Sequence, residues 1–365
     1  MSKPFSIIIP TYREHENIRP LVERLGQALS QRDYEVVIVD DDSRDGTEEL
    51  VAELAVRYPV RIVVRRGKKG LATAVLDGFG LARNDTILVM DADLQHPPEV
   101  VPRVIAAIDA GADVAVASRY VPGGGNAGWS KLRQTISKGA IFLAHLLLPL
   151  SRKVKDPMSG FFAFQKEVIR GVKLAPIGYK ILLEIIVAAR PKKVVEVPFM
   201  FHIREQGESK LNIKQERDYL KHLLRLMCRS GEMMRFAKFA LVGGSGVIVN
   251  EGTRFLLTRF TGLTYPRDAI AAPIGIEVSI ITNFLLNYYF TFADYRRKGT
   301  KSFLGRLVKF NLIGLLGAGI QYGIYLSLTR VAGWEAPYDI LANLIGIAVA
   351  MLWNFFANNW LTWNK

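Results

Sequence analysis

Two regimes of hydrophobic patterning divide the chain. Up to about residue 235, short apolar runs rich in Ile and Val alternate with amphipathic stretches; from Phe236 onward long apolar segments dominate. The runs at 6–10, 35–40, 62–65, 86–90 and 114–118 have the length and β-branched content of strands covered on both faces. Between them, residues 17–29, 47–57, 71–82 and 98–110 place their apolar positions on one face and predict helices. Asp45 is placed to cap the second helix, and His96-Pro97-Pro98 suits the opening of the fourth. The repeating strand–helix order predicts an α/β domain on a mainly parallel sheet, with ligands at the carboxyl ends of its strands.

The second regime predicts an all-α transmembrane domain of four helices in two hairpins, spanning 239–260, 269–292, 307–328 and 340–361. An internal repeat with an offset of 71 residues runs through it. Lys238-Phe239 recurs as Lys309-Phe310, Gly243 as Gly314, Gly246 as Gly317 and Gly252 as Gly323. Asn283-Phe284, Asn287 and Thr291 recur as Asn354-Phe355, Asn358 and Thr362. The small residues suit close helix packing. Arg296, Arg297, Lys298, Lys301 and Arg306 lie between the second and third spans, so that loop should face the cytoplasm, with both termini. Within the spans, Glu251 and Arg254 are spaced to pair, and Glu277 has no obvious local partner. Residues 1–210 are read as a catalytic domain, 211–235 as an amphipathic linker and 236–365 as the membrane domain.

Composition adds a partner class. The chain of 365 residues carries a formal charge of +14, which favours a polyanionic partner. Beside so apolar a second half, lipid headgroups and phosphorylated ligands fit better than nucleic acid. The lone Cys228 excludes an internal disulfide or a cysteine metal cluster. The first residues run straight into a strand, with no cleavable signal peptide, so the first domain is expected in the cytoplasm.

Candidate chemistry gathers where the strands end. Pro10-Thr11-Tyr12-Arg13-Glu14 follows the first strand and Asp40-Asp41-Asp42-Ser43 the second; Asp91-Ala92-Asp93-Leu94-Gln95 follows the fourth and Ser118-Arg119-Tyr120 the fifth. No glycine-rich phosphate loop is present, and carboxylates alone would repel a diphosphate. A hard divalent cation resolves the conflict, because Mg2+ or Mn2+ takes one or two carboxylates together with phosphate oxygens. Asp91 and Asp93 project to one side of an extended strand end. A single Asp-x-Asp pair more often caps a helix or turn, but here several polar clusters share one sheet edge.

This ordered set resembles the family-2 inverting glycosyltransferases with a GT-A fold. Within them, Gly67-Lys68-Lys69-Gly70-Leu71-Ala72-Thr73-Ala74, Arg133-x-x-x-Ser137, Asp156-Pro157-Met158-Ser159-Gly160-Phe161 and Arg204-x-x-Gly207-x-Ser209-Lys210 resemble the dolichol-phosphate mannose synthase branch. The membrane half is similar to small four-helix proteins of the GtrA type. The resemblance implies that Pro10, Tyr12, Glu14 and Asp42 hold the nucleoside, with Asp40 and Lys69 as neighbours. It implies that Asp91, Ala92, Asp93 and Gln95 meet the metal and donor diphosphate, and that Arg119, Arg133 and Ser137 engage an acceptor phosphate. Arg204 and Lys210 match a basic segment that closes over the donor. The implied reaction is transfer of mannose from GDP-mannose to dolichyl (polyprenyl) phosphate, with Asp93, Arg119, Arg133 and Arg204 as the catalytic set. A lipid phosphate is already anionic and needs no general base. It needs positioning and relief of repulsion, expected here as forked hydrogen bonds from Arg119 and Arg133.

Three further expectations complete the reading. Residues 140–150, and 211–234 with Leu220, Leu223, Leu224 and Met227, fit helices lying in the bilayer interface; a buried core helix is the alternative for the first. Gly123-Gly124-Gly125 beside Arg119 is read as a mobile segment. The helical half is a candidate dimer surface. UDP-glucose as donor, a processive polysaccharide synthase and an inactive lipid-binding or flippase protein stay open as alternatives; a processive synthase would carry Gln-x-x-Arg-Trp, which is absent from this chain.

Overall fold

The computed structural model describes residues 3–67, 69–202, 213–260, 267–296 and 302–363, and the chain divides between Ser230 and Gly231 into two compact units. In the first unit the order is β1 (Phe5–Thr11), α1 (His15–Ala28), β2 (Tyr34–Asp40), α2 (Thr47–Leu54), β3 (Val60–Val64), α3 (Leu71–Leu81), β4 (Thr86–Val89) and α4 (Val101–Asp109). There follow β5 (Val114–Ser118), β6 (Gly125–Asn126), α5 (Lys131–Leu147), β7 (Phe162–Gln165), α6 (Ile181–Glu184), β8 (Val194–Pro198), β9 (Met200–Phe201) and α7 (Ile213–Ser230). Seven strands form one sheet in the order β3-β2-β1-β4-β7-β5-β8, parallel except for β7; β6 and β9 pair separately.

The first five strands lie where the apolar runs predict them, and alternation explains why those runs read as continuous. Ile7, Ile9, Val36 and Ile38 enter the core beneath α1 and α4, while Ile8, Val37 and Val39 enter the core on the other face beneath α3. Both faces are buried, so neither can be polar. The N-cap itself is Gly46 at φ +85°, and Asp45, one residue before it, accepts the Thr47 amide (3.2 Å) and hydroxyl (2.7 Å). The fourth helix differs in opening through a 3-10 turn, Pro98–Val100. The antiparallel β7 and the parallel β8 escape the periodicity argument. In β7 the segment entering the strand, Asp156–Phe161, reads as a loop because it carries Pro157 and Gly160, and only four residues follow. Its insertion between β4 and β5 decides the site, because it carries Asp156 to the carboxyl end of β5.

The two stretches expected at the bilayer interface are largely packed against this unit. Ile141, Ala144 and Leu148 of the first bury against Met158, Leu183 and Val187 and against Tyr219, Leu223, Leu226 and Met227 of α7. The alternative of a core helix therefore holds for residues 141–148. Tyr219 donates to the Ala140 carbonyl at 2.6 Å. What stays exposed is Leu132, Ile136 and Phe142 on α5 and Leu220 and Leu224 on α7, beside their basic neighbours.

A buried ionic cluster fastens α7. Glu184, without solvent exposure, meets His222 Nε2 at 2.7 Å, accepts from Arg229 Nη1 at 2.5 Å and accepts the Ala175 amide at 2.9 Å. Burial raises the Glu184 carboxyl, but these hydrogen bonds and the charges of His222 and Arg229 outweigh it and hold it below the usual range. A carboxyl depressed in the folded state stabilises fully above its unfolded pKa of about 4.3 and loses that contribution as pH falls through the folded value. Thermal melts of Glu184→Gln should therefore show a flatter acid limb than the parent. Parallel acid limbs in the two proteins would refute this.

The second unit contains α8 (Glu232–Phe260), α9 (Arg267–Leu286), α10 (Ala293–Arg296), α11 (Phe303–Leu326) and α12 (Tyr338–Ala357). Helices α9, α11 and α12 run on into single π turns, Asn287–Thr291, Ser327–Val331 and Asn358–Thr362. Helix α8 packs on α9 and α11 on α12. Equivalent positions of the sequence repeat make equivalent contacts. A Cβ on Gly246 would collide with Asn283, and one on Gly317 with Asn354. Asn287 Nδ2 donates to the Asn283 carbonyl at 2.9 Å, and Asn358 Nδ2 to that of Asn354 at 2.8 Å.

The aromatic core of this unit is shared by both halves. Phe239 meets Phe355 at 5.5 Å and 64°, and Phe310 meets Phe284 at 5.6 Å and 63°. Between these pairs Phe292 stacks on Trp363, with centroids 4.9 Å apart and planes 9° apart. A near two-fold relation thus passes between Phe292 and Trp363. Arg254 donates to both oxygens of Glu251 at 3.1 Å, while Glu277 accepts from the distant Asn311 at 3.3 Å. Among the described residues two helical stretches, Phe303–Val331 and Tyr338–Thr362, are long and apolar enough to cross a membrane.

Candidate active site

The carboxyl edge of the sheet is built from tight, partly strained turns. Arg13, Asp42, Arg44 and Leu94 all have φ between +53° and +58°, a region that costs a non-glycine residue of order 1–3 kcal/mol. Hydrogen bonding holds them there. Asp40 is buried and accepts from Thr11 Oγ1 (2.9 Å), Ser43 Oγ (2.6 Å) and the Ser43 amide (2.8 Å), and Ser43 Oγ accepts the Arg13 amide (2.8 Å). Asp40 thus braces the ends of β1 and β2. Asp42 is turned outward, its carboxyl lowered by hydrogen bonding to Arg44.

Tyr12 is exposed, with Lys69 Nζ at 5.0 Å and the Arg13 guanidinium at 5.4 Å from its ring centroid. Pro10 is buried inside β1, and Glu14 accepts from Asn17 Nδ2 at 2.6 Å. The Lys69 segment is anchored by a buried arginine that the strand-end reading does not find. Arg65 donates to Asp41 (2.6 Å), Asp77 (2.9 Å) and Thr73 (2.6 Å), and Asp41 also accepts the Gly70 amide (2.6 Å). Its signal is a charge that closes an Ile-Val run and meets carboxylates far along the chain.

At the end of β4 the two carboxylates differ. The Asp91 side chain is 39% exposed, whereas Asp93 is buried and its Oδ1 accepts the Gln95 amide at 3.2 Å. Ala92 between them is buried. Gln95 Nε2 donates to the His202 carbonyl at 3.1 Å, so its amide oxygen is the end left for a ligand. The Asp91 amide donates to His96 Nδ1 at 3.0 Å. Burial among Phe161, Phe199 and Phe201 pushes His96 down to about 4 despite the charge of Asp93, so it accepts this bond as a neutral ring. Gly160 faces Asp91: a Cβ there would sit 3.3 Å from its Oδ2, filling the space beside the carboxylate. Oxygen donors beside space kept clear by a glycine fit a small hard cation. Among the described residues no group of three or more His, Cys, Asp or Glu side chains gathers, so such an ion would draw further oxygens from a bound substrate.

Arg119, Arg133 and Ser137, expected at the acceptor, are linked through Tyr120 and Trp129, with one change from expectation. Arg119 spends its fork inside the protein: Nε and Nη2 each lie 2.7 Å from an oxygen of Asp156, which is fully buried. A buried guanidinium requires a counter-charge, and β7 delivers one. Asp156 holds Arg119 protonated against the cost of burial, and Nη1 has no hydrogen bond among the described residues. The Arg119 guanidinium also lies 5.5 Å from the Tyr120 ring and 5.3 Å from that of Trp129. Trp129 in turn carries the Arg133 guanidinium at 4.4 Å, and Tyr120 donates to Ser137 at 2.9 Å. Ser130 caps α5 by accepting the Arg133 amide, which sets Arg133 and Ser137 on one face of the helix. The Gly123–Gly125 segment is hydrogen-bonded into the unit: the Gly124 amide donates to the Val121 carbonyl and the Gly125 amide to that of Phe199. A Cβ on Gly124 would strike the Ser118 carbonyl, and Gly125 pairs with Met200. Arg204, Gly207 and Lys210 lie outside the described residues.

Lys180 is a further site residue that no motif announces. Its Nζ donates to the Met158 carbonyl at 3.4 Å and lies 4.1 Å from the Tyr179 centroid. Burial and the charge of Arg119 lower it to about 7, against Asp156 and Asp91. That combination puts one amine within electrostatic reach of Arg119, Asp156 and Asp91.

Comparison with known proteins gives the family. The family described as Glycosyl transferase family 2 matches residues 6–172, and GtrA/DPMS, transmembrane domain, matches residues 238–363. Dolichol-phosphate mannosyltransferase of Pyrococcus furiosus is 46% identical over 358 residues, covering 98% of this chain and 99% of that protein. The dolichol-phosphate mannosyltransferase of Saccharomyces cerevisiae is 41% identical over 239 residues, 62% of this chain and 88% of the relative. Polyprenol monophosphomannose synthase of Mycolicibacterium smegmatis is 41% identical over 216 residues, 56% and 80%. A likeness that runs the whole length, through both the transferase and the helical unit, makes this chain a membrane-bound glycosyltransferase of the dolichol-phosphate mannosyltransferase family.

Proposed function

We propose that the protein transfers mannose from GDP-mannose to a dolichyl or other polyprenyl phosphate in one displacement that inverts the anomeric carbon. The observation that carries this is the meeting of two sets of groups at one sheet edge. Oxygen donors at Asp91, Asp93 and Gln95 stand beside the cationic cluster of Arg119, Arg133 and Lys180. Tyr12 and Lys69 would hold the nucleoside, with Asp42 within reach of the Lys69 charge. Asp91, Asp93 and Gln95 are the residues to hold Mg2+ or Mn2+, which when bound would neutralise the donor diphosphate.

The protein's own groups supply the rest. Arg133 and the Nη1 of Arg119, which has no hydrogen bond among the described residues, would take the acceptor phosphate, with the Ser137 hydroxyl beside them. Lys180 would lower the repulsion between that anion and the departing diphosphate. Arg204 and Lys210, by the family resemblance, would close over the donor. No base is required, since the attacking oxygen already bears charge.

Four helices crossing the bilayer as two hairpins, with the catalytic unit on the cytoplasmic side, complete the reading. Its support is the basic stretch from Arg296 to Arg306 and the repeat. The test is sugar transfer into organic-extractable lipid by purified protein with polyprenyl phosphate and Mn2+ or Mg2+. Labelled GDP-mannose and UDP-glucose are run in parallel. Metal-dependent mannolipid is expected; glucolipid alone would overturn the donor, and no lipid product from folded protein would overturn the reaction.

A further inference from the structure

The helical unit contains two arginines that the repeat makes equivalent, Arg235 and Arg306, and the protein treats them differently. Each lies over the corresponding aromatic ring. Arg235 is 6.0 Å from the Phe292 centroid and Arg306 is 5.5 Å from that of Trp363. Arg235 is answered by carboxylates: it donates to Glu232 and, at 2.8 Å, to Asp294. The positions that match Glu232 and Asp294 in the second half are Phe303 and Lys365, so neither can supply an acid side chain. Arg306 is nevertheless 3% exposed, its Nε is buried without an acceptor, and no described carboxylate reaches it. A second ring, Tyr288, lies 6.0 Å from its guanidinium.

A guanidinium set between rings, with its Nε buried and unpaired among the described residues, is costly unless something completes it. We infer that Arg306, between Tyr288 and Trp363, is a binding site for an anionic phosphate group, filling the place that Glu232 and Asp294 fill in the first half. Phosphate matches the planar fork of arginine with two parallel hydrogen bonds. Position argues the same way. Arg306 lies in the first turn of the apolar stretch Phe303–Val331, so in a bilayer it stands at headgroup depth, where phosphate is the prevailing anion. The source is either a lipid headgroup or a soluble phosphate ligand. The site belongs to the helical unit and uses none of the sugar-transfer residues.

The test uses the full chain in a neutral detergent, with retained lipid counted by native mass spectrometry after incubation with phosphatidylglycerol or phosphatidylcholine. Inorganic pyrophosphate is the soluble probe, read by the shift in melting temperature. Arg306→Gln should lower retention of the occupying anion about tenfold. Phe303→Glu supplies an internal carboxylate at the position of Glu232 and should do the same while the arginine remains. Lys309→Gln removes one exposed charge from the same helix and should stay within about twofold of the parent. Loss of phosphatidylglycerol in both site variants identifies the headgroup as the source, and loss of a pyrophosphate shift identifies the soluble ligand. Equal retention by the parent and Phe303→Glu would overturn the proposal, as would an equal loss in Lys309→Gln. Arg306→Gln that fails to fold leaves the Phe303→Glu comparison decisive.

Discussion

Asp93→Asn should lower the rate of mannosyl transfer by about a thousandfold at saturating donor while leaving the melting temperature within a few degrees. The carboxylate is buried at the end of β4 and accepts the Gln95 amide through one oxygen. An amide of the same shape keeps that bond but removes the charge. The loss should appear in kcat more than in the KM for donor, because charge on the departing diphosphate grows in the transition state. Spin-resonance titration of free Mn2+ supplies a readout apart from turnover, and the variant should bind the ion more weakly. Transfer above about a tenth of the parent rate would remove Asp93 from the assigned role.

The second large effect is on stability. Asp156→Asn leaves the Arg119 guanidinium buried opposite a neutral amide, and losing one member of a buried pair costs about 3–5 kcal/mol. For a unit of this size the melting temperature should fall by on the order of 10 °C. Asp156 is wholly buried, and Arg119 holds it through both fork nitrogens while the Arg119 amide adds a third bond at 3.1 Å. Replacing both residues separates folding from function. Asp156→Asn with Arg119→Met should regain part of the lost stability, because no unpaired charge remains, and should still fail to transfer sugar. A double variant no more stable than the single one would show that Asp156 acts through some other contact.

Much of the fold is legible in the chain because β1, β2, β4 and β5 are buried on both faces, which leaves continuous apolar runs of strand length; β3, at the sheet edge, is only half-buried beyond Val60. The edge residues Asp42, Asp91, Asp93 and Arg119 are legible because charge at a strand end has no role in the core; Arg133, inside α5, is reached only through the family resemblance. What escapes is whatever depends on contacts between distant segments. The four residues of β7 carry no period long enough to read, yet they bring Asp156 to Arg119. Arg65 looks like the polar end of a strand until Asp41 and Asp77 are placed around it. Lys180 precedes an apolar stretch and would pass for a helix-start charge on a surface. Helices α5 and α7 look free to lie on a membrane because amphipathic periodicity states that a face is apolar, not what covers it. Here each covers the other, with Met158 and Leu183 between them.

The stacking of Phe292 on Trp363 bears on how the chain is made. Neither half of the helical unit owns a complete aromatic core: Phe239 needs Phe355, and Phe310 needs Phe284. When α8 and α9 leave the ribosome, the partners of Phe239 and Phe284 are still unsynthesised, together with Trp363, almost the last residue described. Biogenesis must therefore shelter the first pair of helices until the final turn of the second emerges, and a stalled or truncated product would expose that surface to any other half-made copy nearby.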